Sequence, residues 1–129
     1  MALSIAIDAN RYTDLCRGDE DALTKLRAAR RIVLPFIVLA ELRAGFRLGR
    51  NSTKNEQVLS SFLHSPRVEL LFADEGTTRV FAAVFADLRA AGTPIPTNDV
   101  WIAALTLQHD LVLYSRDKHF DRIPRLPRI

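Results

Sequence analysis

The chain opens with Leu3-Ser4-Ile5-Ala6-Ile7-Asp8, a short apolar run that ends in an acidic residue. Such a run is typical of a strand that is buried on both faces within a parallel sheet. An ionised carboxylate next to the core is costly unless another group compensates its charge. The stretch therefore predicts the first strand of a parallel sheet, with an acid at the end of that strand.

The rest of the chain alternates between predicted strands and predicted helices. Short apolar segments at residues 32–34, 68–72 and 111–114 predict three more strands. Helical patterns separate them, at residues 11–17, 19–30, 36–48, 52–63, 74–91 and 97–109. Asn10 is expected to cap the first helix. This alternation predicts an α/β fold with a mostly parallel central sheet flanked by helices.

Length and composition indicate one ordinary globular domain that spans residues 1–129. The net charge of +3 permits a nucleic acid as partner without requiring one. No segment approaches the roughly 18 apolar residues of a membrane span, so no membrane partner is expected. The single Cys16 cannot form an intramolecular disulfide, which fits the reducing cytoplasm.

Four acidic residues lie at the edges of apolar runs: Asp8, Glu41, Asp99 and Asp117. Asp8 ends the first strand and Asp117 follows the fourth, so both are expected at the edge where open parallel sheets bind ligands. Asp99 lies in the first turn of a helix, and Glu41 lies within one, with Gly45 one turn later leaving room for a ligand. If the fold brings the four together, a divalent metal ion is the natural compensation for their charge, because Mg²⁺ and Mn²⁺ prefer oxygen ligands.

Taken one at a time, each acid also has an ordinary interpretation. Asp8 can simply end a strand and begin a turn, and Asp99 can be a common first-turn helix acid. Glu41 and Asp117 can be solvated surface residues. Only the joint placement of the four favours a metal site.

At these positions the chain resembles the PIN domain family, and most closely its VapC-type toxins from bacterial and archaeal toxin–antitoxin systems. Asp8-Ala9-Asn10 is similar to the opening motif of the family, although Thr is commoner at the position of Ala9. Leu39-Ala40-Glu41-Leu42, followed by Gly45, is similar to the second motif. The most specific stretch is residues 95–104, and residues 115–120 resemble the closing motif. The resemblance covers the whole chain and implies a single three-layer sandwich.

The resemblance implies an endoribonuclease that depends on Mg²⁺ or Mn²⁺. Asp8, Glu41, Asp99 and Asp117 would be its metal ligands and catalytic residues. Asn10 and Ser115 would support these ligands or the substrate phosphate by hydrogen bonding, and Ser115 keeps the hydroxyl of the commoner Thr.

Basic residues near the proposed site are candidates for holding RNA phosphates. Arg116 and Lys118 flank Asp117, and we predict that both contact the substrate. Arg43, Arg47 and Arg50 form a basic face on the helix that carries Glu41. A solvated surface remains the ordinary interpretation of any single arginine.

The resemblance also implies partners that no pattern in the chain reveals. It implies an RNA substrate, with transfer RNA and ribosomal RNA both found as targets in the family, and inhibition of translation as the result. It further implies a homodimer and a cognate VapB-like antitoxin encoded beside the toxin.

Other functions remain open at this stage. A non-catalytic PIN-like module could keep the acids and only bind RNA or a protein. A phospho-accepting receiver domain is disfavoured because Asp8 is followed by Ala-Asn and Glu41 falls on a helix. A haloacid-dehalogenase-type phosphatase is disfavoured because Asp8-Ala9-Asn10 lacks a second aspartate. His119 could protonate a leaving group, but nothing in the sequence fixes it near the acids, and we interpret it as a structural or surface residue.

Overall fold

A computed structural model describes residues 2–129 of the chain. This part of the chain folds into four strands, six α-helices and one short 3-10 helix. In chain order the elements are β1 (Ser4–Ile7), α1 (Ala9–Cys16), α2 (Glu20–Ala28), β2 (Arg31–Pro35), α3 (Phe36–Leu48), α4 (Ser52–Leu63), β3 (Val68–Leu71), α5 (Glu75–Ala90), α6 (Thr97–Gln108), β4 (Val112–Tyr114) and the 3-10 helix (Lys118–Arg122).

The four strands form one sheet in the order β3-β2-β1-β4, and every adjacent pair is parallel. In β1, Ile5 pairs with Ile32 on one side and with Val112 on the other. The predicted α/β sandwich with a parallel central sheet is confirmed. The chain runs from β1 towards β3 on one side and returns to place β4 on the other side. The ends of β1 and β4 therefore flank the switch point where open sheets of this kind bind ligands.

Burial explains why β1 forms a strand at the centre of the sheet. Ile5, Ala6 and Ile7 are each at most 1% exposed. Apolar residues on both faces are expected where layers of helices cover both sides of a sheet. The edge strand β3 differs, because its residues are half-buried and Glu69 is exposed. The central position of β1 fixes the place where Asp8 leaves the sheet.

The helix starts differ from the prediction in one position that matters for the site. Asp8, not Asn10, is the N-cap of α1, because its side chain accepts a hydrogen bond from the backbone N–H of Ala9. Asn10 lies inside the helix, in its first turn. The capping interaction holds the Asp8 carboxylate at the junction between β1 and α1.

Helix α6 is the most buried helix of the fold. It contacts α5, α3 and β4, and it buries Val100, Ile102 and Leu105 almost completely. Burial of an apolar side chain of this size contributes roughly 1.5–3 kcal/mol. Because α6 is packed into the core, the position of Asp99 in its first turn is fixed. Within residues 2–129, no helix is both long enough and apolar enough to cross a membrane.

Candidate active site

Asp8 is a buried carboxylate whose two oxygens are both hydrogen-bonded. It is only 6% exposed. Its Oδ1 accepts the backbone N–H of Ala9 at 2.8 Å, and its Oδ2 accepts the Ser115 hydroxyl at 2.6 Å and the Asn10 amide at 3.3 Å. These donors favour the ionised form and fix the orientation of the carboxylate.

Ser115 and Asn10 join the end of β1 to the segment that follows β4. The Ser115 hydroxyl also accepts the Asn10 amide at 3.3 Å and the backbone N–H of Asp117 at 3.0 Å. The side-chain carbonyl oxygen of Asn10 accepts a hydrogen bond from the backbone N–H of Arg116 at 3.1 Å. The two residues that the sequence nominated as supports therefore both contact Asp8, and they also hold the segment that carries Asp117.

Asp99, Asp117 and His119 form a compact group of potential ligands. One ligand atom from each lies within 4.8 Å of the others. His119 Nδ1 lies 2.8 Å from Asp99 Oδ2 and 3.2 Å from Asp117 Oδ1. Nothing in the sequence places His119 near the acids, and the structure shows that it lies beside two of them. The short 3-10 helix turns its ring back towards α6, and no periodic pattern in the sequence marks such a turn.

Glu41 brings the fourth carboxylate to the same place from helix α3. Its Oε1 atom is buried and has no hydrogen-bond partner within residues 2–129. Burial raises the pKa of Glu41, and the negative charges of Asp8, Asp99 and Asp117 raise it further, while the Asn98 side chain lowers it. Glu41 is thus close enough to the other three acids that the sequence singled out to feel their charges.

Burial also raises the pKa of Asp8 and of Asp99, the two most enclosed acids of the group. The charge of Asp117 raises both values further, and hydrogen bonds from Ser115 to Asp8 and from His119 to Asp99 lower them in part. Three acids with raised pKa values in one place mean that the metal-free site carries unfavourable electrostatic energy.

This electrostatic cost predicts the pH dependence of stability in EDTA. An acid whose pKa is higher in the folded state stabilises the fold most when it is protonated, and that contribution is lost as the pH rises through the folded pKa. Lowering the pH from above these raised pKa values towards the ordinary carboxyl pKa of about 4 should therefore increase the free energy of unfolding of the metal-free protein. The increase should be smaller in Asp8→Asn, which has one site acid fewer.

Denaturant unfolding at several pH values measures this effect. Three other acids have lowered pKa values: Asp14, Asp21 and Asp74. They do not cancel the expected gain in stability, because their own stabilising contribution is lost only below about pH 4. A metal-free stability that falls steadily as the pH is lowered over this range would contradict the proposed convergence of the site acids.

Arg116 and Lys118, the two predicted substrate contacts, differ in their surroundings. The Arg116 guanidinium donates Nε and Nη2 to the two carboxylate oxygens of Asp14, both at 2.9 Å. This bidentate pair connects α1 to the segment after β4. Lys118 is exposed at the start of the 3-10 helix. Lys118 therefore remains available to an RNA phosphate, whereas Arg116 already has an anionic partner.

The donor set fits a divalent cation of the Mg²⁺ type. The site offers carboxylate oxygens from four segments of the fold, one of them a buried oxygen with no hydrogen-bond partner in the described part of the chain, residues 2–129. Burial, and then mutual repulsion, raise the pKa values of Asp8, Glu41 and Asp99, and a dication would remove the repulsion. Oxygen ligands are those that Mg²⁺ and Mn²⁺ prefer in proteins.

Comparison with known proteins gives a family match over most of the chain. Residues 5–126 match the PIN domain family. Ribonuclease VapC4 of Mycobacterium tuberculosis is 31% identical over 88 residues, which cover 68% of this chain and 68% of VapC4. Ribonuclease VapC1 of Haemophilus influenzae is 32% identical over 97 residues, covering 74% and 71% of the two chains.

Solved structures share the fold over nearly the whole chain. VapBC-1 from nontypeable Haemophilus influenzae superposes with a TM-score of 0.85 and 25% identity, covering 98% of this chain and 97% of the other. VapBC2 from Rickettsia felis, bound to a DNA fragment from its promoter, gives a TM-score of 0.87 at 24% identity and covers 98% of each chain. At that identity the second likeness supports the fold alone.

Proposed function

The chain belongs to the PIN domain family and has VapC ribonucleases among its relatives, and from this premise we propose that it is a metal-dependent endoribonuclease. The observations that carry the proposal are three. Asp99 and Asp117 belong to one group of potential ligands, and Ser115 joins Asp8 to the segment that carries Asp117. Glu41 lies close enough for the charges of Asp8, Asp99 and Asp117 to raise its pKa. We further propose that residues 1–129 act as one nuclease domain. It would be the toxin of a toxin–antitoxin pair that inhibits translation by cutting RNA in the cytoplasm.

The four acids would hold Mg²⁺ or Mn²⁺. A dication bound there lowers the pKa of a water molecule and stabilises negative charge on a scissile phosphodiester. The protein's own contribution is orientation. Ser115 and Asn10 hold the Asp8 carboxylate in place, the capping bond from Ala9 fixes its other oxygen, and the buried helix α6 positions Asp99.

The surface one helical turn beyond Glu41 is exposed at Gly45, where a Cβ atom would have open space outside its own helix. Arg47, Arg50 and Lys118 are exposed and can neutralise RNA phosphates near an otherwise repulsive acidic site. Arg43 is also exposed, but it already forms an ion pair with Glu56 at 2.8 Å.

The similar solved structures support an antitoxin as the protein partner. Those from Haemophilus influenzae and Rickettsia felis are described as VapBC assemblies. We propose that this chain likewise pairs with a VapB-like antitoxin and that it forms a homodimer. Transfer RNA and ribosomal RNA are the proposed substrate classes.

Cleavage of RNA by the purified protein tests the proposed activity. Total tRNA, ribosomal RNA and a generic single-stranded RNA are incubated with Mg²⁺, with Mn²⁺ or with EDTA. We expect discrete cuts in the metal lanes and none in EDTA. Binding of these RNAs without metal-stimulated cleavage would contradict the proposal and would favour the second candidate, a non-catalytic RNA-binding PIN-like module.

A further inference from the structure

His119 is an imidazole that the fold places beside two of the site acids. Within residues 2–129, Asp99, Asp117 and His119 are the only three potential ligands of this kind whose ligand atoms all lie within 4.8 Å of one another. The Nδ1 atom of His119 lies 2.8 Å from Asp99 Oδ2, which is within hydrogen-bond distance. The imidazole therefore lies in the same group of atoms as two of the four proposed metal ligands.

The backbone around His119 is fixed by several contacts. Its N–H donates to Asp117 Oδ1 at 2.9 Å, which caps the 3-10 helix. Phe120, the next residue, is 0% exposed and anchors that helix in the core. Arg128 donates to the backbone carbonyls of Ser115 and Asp117 at 3.2 and 3.1 Å. The fold thus holds His119 beside the acids, while its side chain keeps 40% exposure and remains accessible to an ion.

We propose that His119 is a nitrogen ligand of the metal centre and that it makes the centre prefer Mn²⁺ to Mg²⁺. The inference rests on the proposed function, because it concerns the same metal site. Mg²⁺ is bound almost entirely by oxygen ligands, whereas Mn²⁺, as a first-row transition metal, accepts an imidazole nitrogen more readily than Mg²⁺ does. Carboxylates bind both ions, and a nitrogen ligand adds a contribution that favours Mn²⁺ over Mg²⁺. In binding the ion, Nδ1 would exchange its contact with Asp99 for a bond to the metal that Asp99 and Asp117 also hold.

A different role for His119 would leave different evidence. If the ring only donates a hydrogen bond to Asp99, it orients a ligand without touching the ion. Loss of the ring would then weaken Mg²⁺ and Mn²⁺ binding by similar factors. If the ring is a ligand, its nitrogen is coupled to the unpaired electrons of bound Mn²⁺, and its loss weakens Mn²⁺ binding more than Mg²⁺ binding.

Pulsed electron paramagnetic resonance of the full-length protein with bound Mn²⁺ tests the proposal directly. We expect a ¹⁴N coupling in the wild-type protein that changes to a ¹⁵N pattern when the protein is grown with ¹⁵N-histidine. His119→Gln should lose the coupling. His64→Gln is the matched control, because His64 is an exposed histidine whose Nδ1 contacts the backbone of Ser60 instead, and it should keep the coupling.

Calorimetric titration with each metal supplies the second measurement. Wild type should bind Mn²⁺ more tightly than Mg²⁺, and His119→Gln should lose about tenfold in Mn²⁺ affinity with a much smaller change for Mg²⁺. Bound Mn²⁺ without histidine coupling in the wild-type protein would overturn the role of His119 while leaving the proposed nuclease intact. Failure of the wild-type protein to bind either metal would overturn both. The isotope experiment needs no variant and decides the matter even if His119→Gln fails to fold.

Discussion

Asp99→Asn should reduce metal-dependent RNA cleavage by about 1,000-fold, which corresponds to roughly 4 kcal/mol of lost transition-state stabilisation. Asparagine keeps the shape of the side chain and removes the negative charge that would hold the ion. Asp99 is buried in the first turn of α6, so no other acid can move into its place. The same substitution should leave stability in EDTA unchanged or higher, because it removes a buried charge that the other acids repel.

Asp87→Asn is the matched control for this prediction. Asp87 is an exposed acid on α5, with a side chain that is 73% exposed and 3.7 Å from Arg125. Its loss should change neither cleavage nor stability appreciably, because exposed ion pairs contribute little. Both variants are compared with wild type by initial rates on the same RNA and by thermal unfolding. A folded Asp99→Asn protein with wild-type turnover would remove Asp99 from the active site.

Ser115→Ala should lower activity by about 10- to 100-fold, the usual effect of removing a group that orients a metal ligand. The Ser115 hydroxyl donates to Asp8 Oδ2 at 2.6 Å and accepts the backbone N–H of Asp117 at 3.0 Å. Its removal would free one side of the Asp8 carboxylate and loosen the segment that carries Asp117. Ser115 is buried, so a water molecule cannot readily take over both hydrogen bonds.

Ser115→Thr is the conservative variant for this position. Threonine keeps the hydroxyl and should retain most of the activity. Titration of the cleavage rate with Mn²⁺ separates orientation from general damage, since Ser115→Ala should require more metal for half-maximal rate while its melting temperature stays close to that of wild type. Equal metal requirements for Ser115→Ala and wild type would show that the hydroxyl does not support the metal ligands.

The sequence predicted those parts of the site that follow from strand ends. The apolar run before Asp8 marks β1, and the run before Ser115 marks β4. Because parallel strands end at the same edge, the meeting of Asp8 with the segment after β4 could be expected. The prediction that Glu41 and Asp99 lie beside Asp8 and Asp117 rested on the resemblance of their motifs to those of the family. Helical periodicity alone does not say how two helices are placed relative to a sheet.

The contacts that escaped prediction depend on pairings that no periodic pattern records. Asp14 and Arg116 form a bidentate pair across 102 positions of the chain. His119 reaches Asp99 only because a 3-10 helix follows Asp117. The capping role of Asp8 was missed because Asn10 also suits a helix start by residue type. Asp8 is the N-cap because the backbone at the end of β1 is extended at this residue. Residue type alone does not reveal this conformation.

The central claim is that the four acids form one metal centre, and anomalous diffraction from crystals grown with Mn²⁺ tests it most directly. The account predicts an anomalous peak in contact with the carboxylates of Asp8, Glu41, Asp99 and Asp117. The peak should be absent from crystals of Asp99→Asn and present in those of Asp87→Asn. A protein that binds Mn²⁺ only elsewhere on its surface, or not at all, would contradict the account.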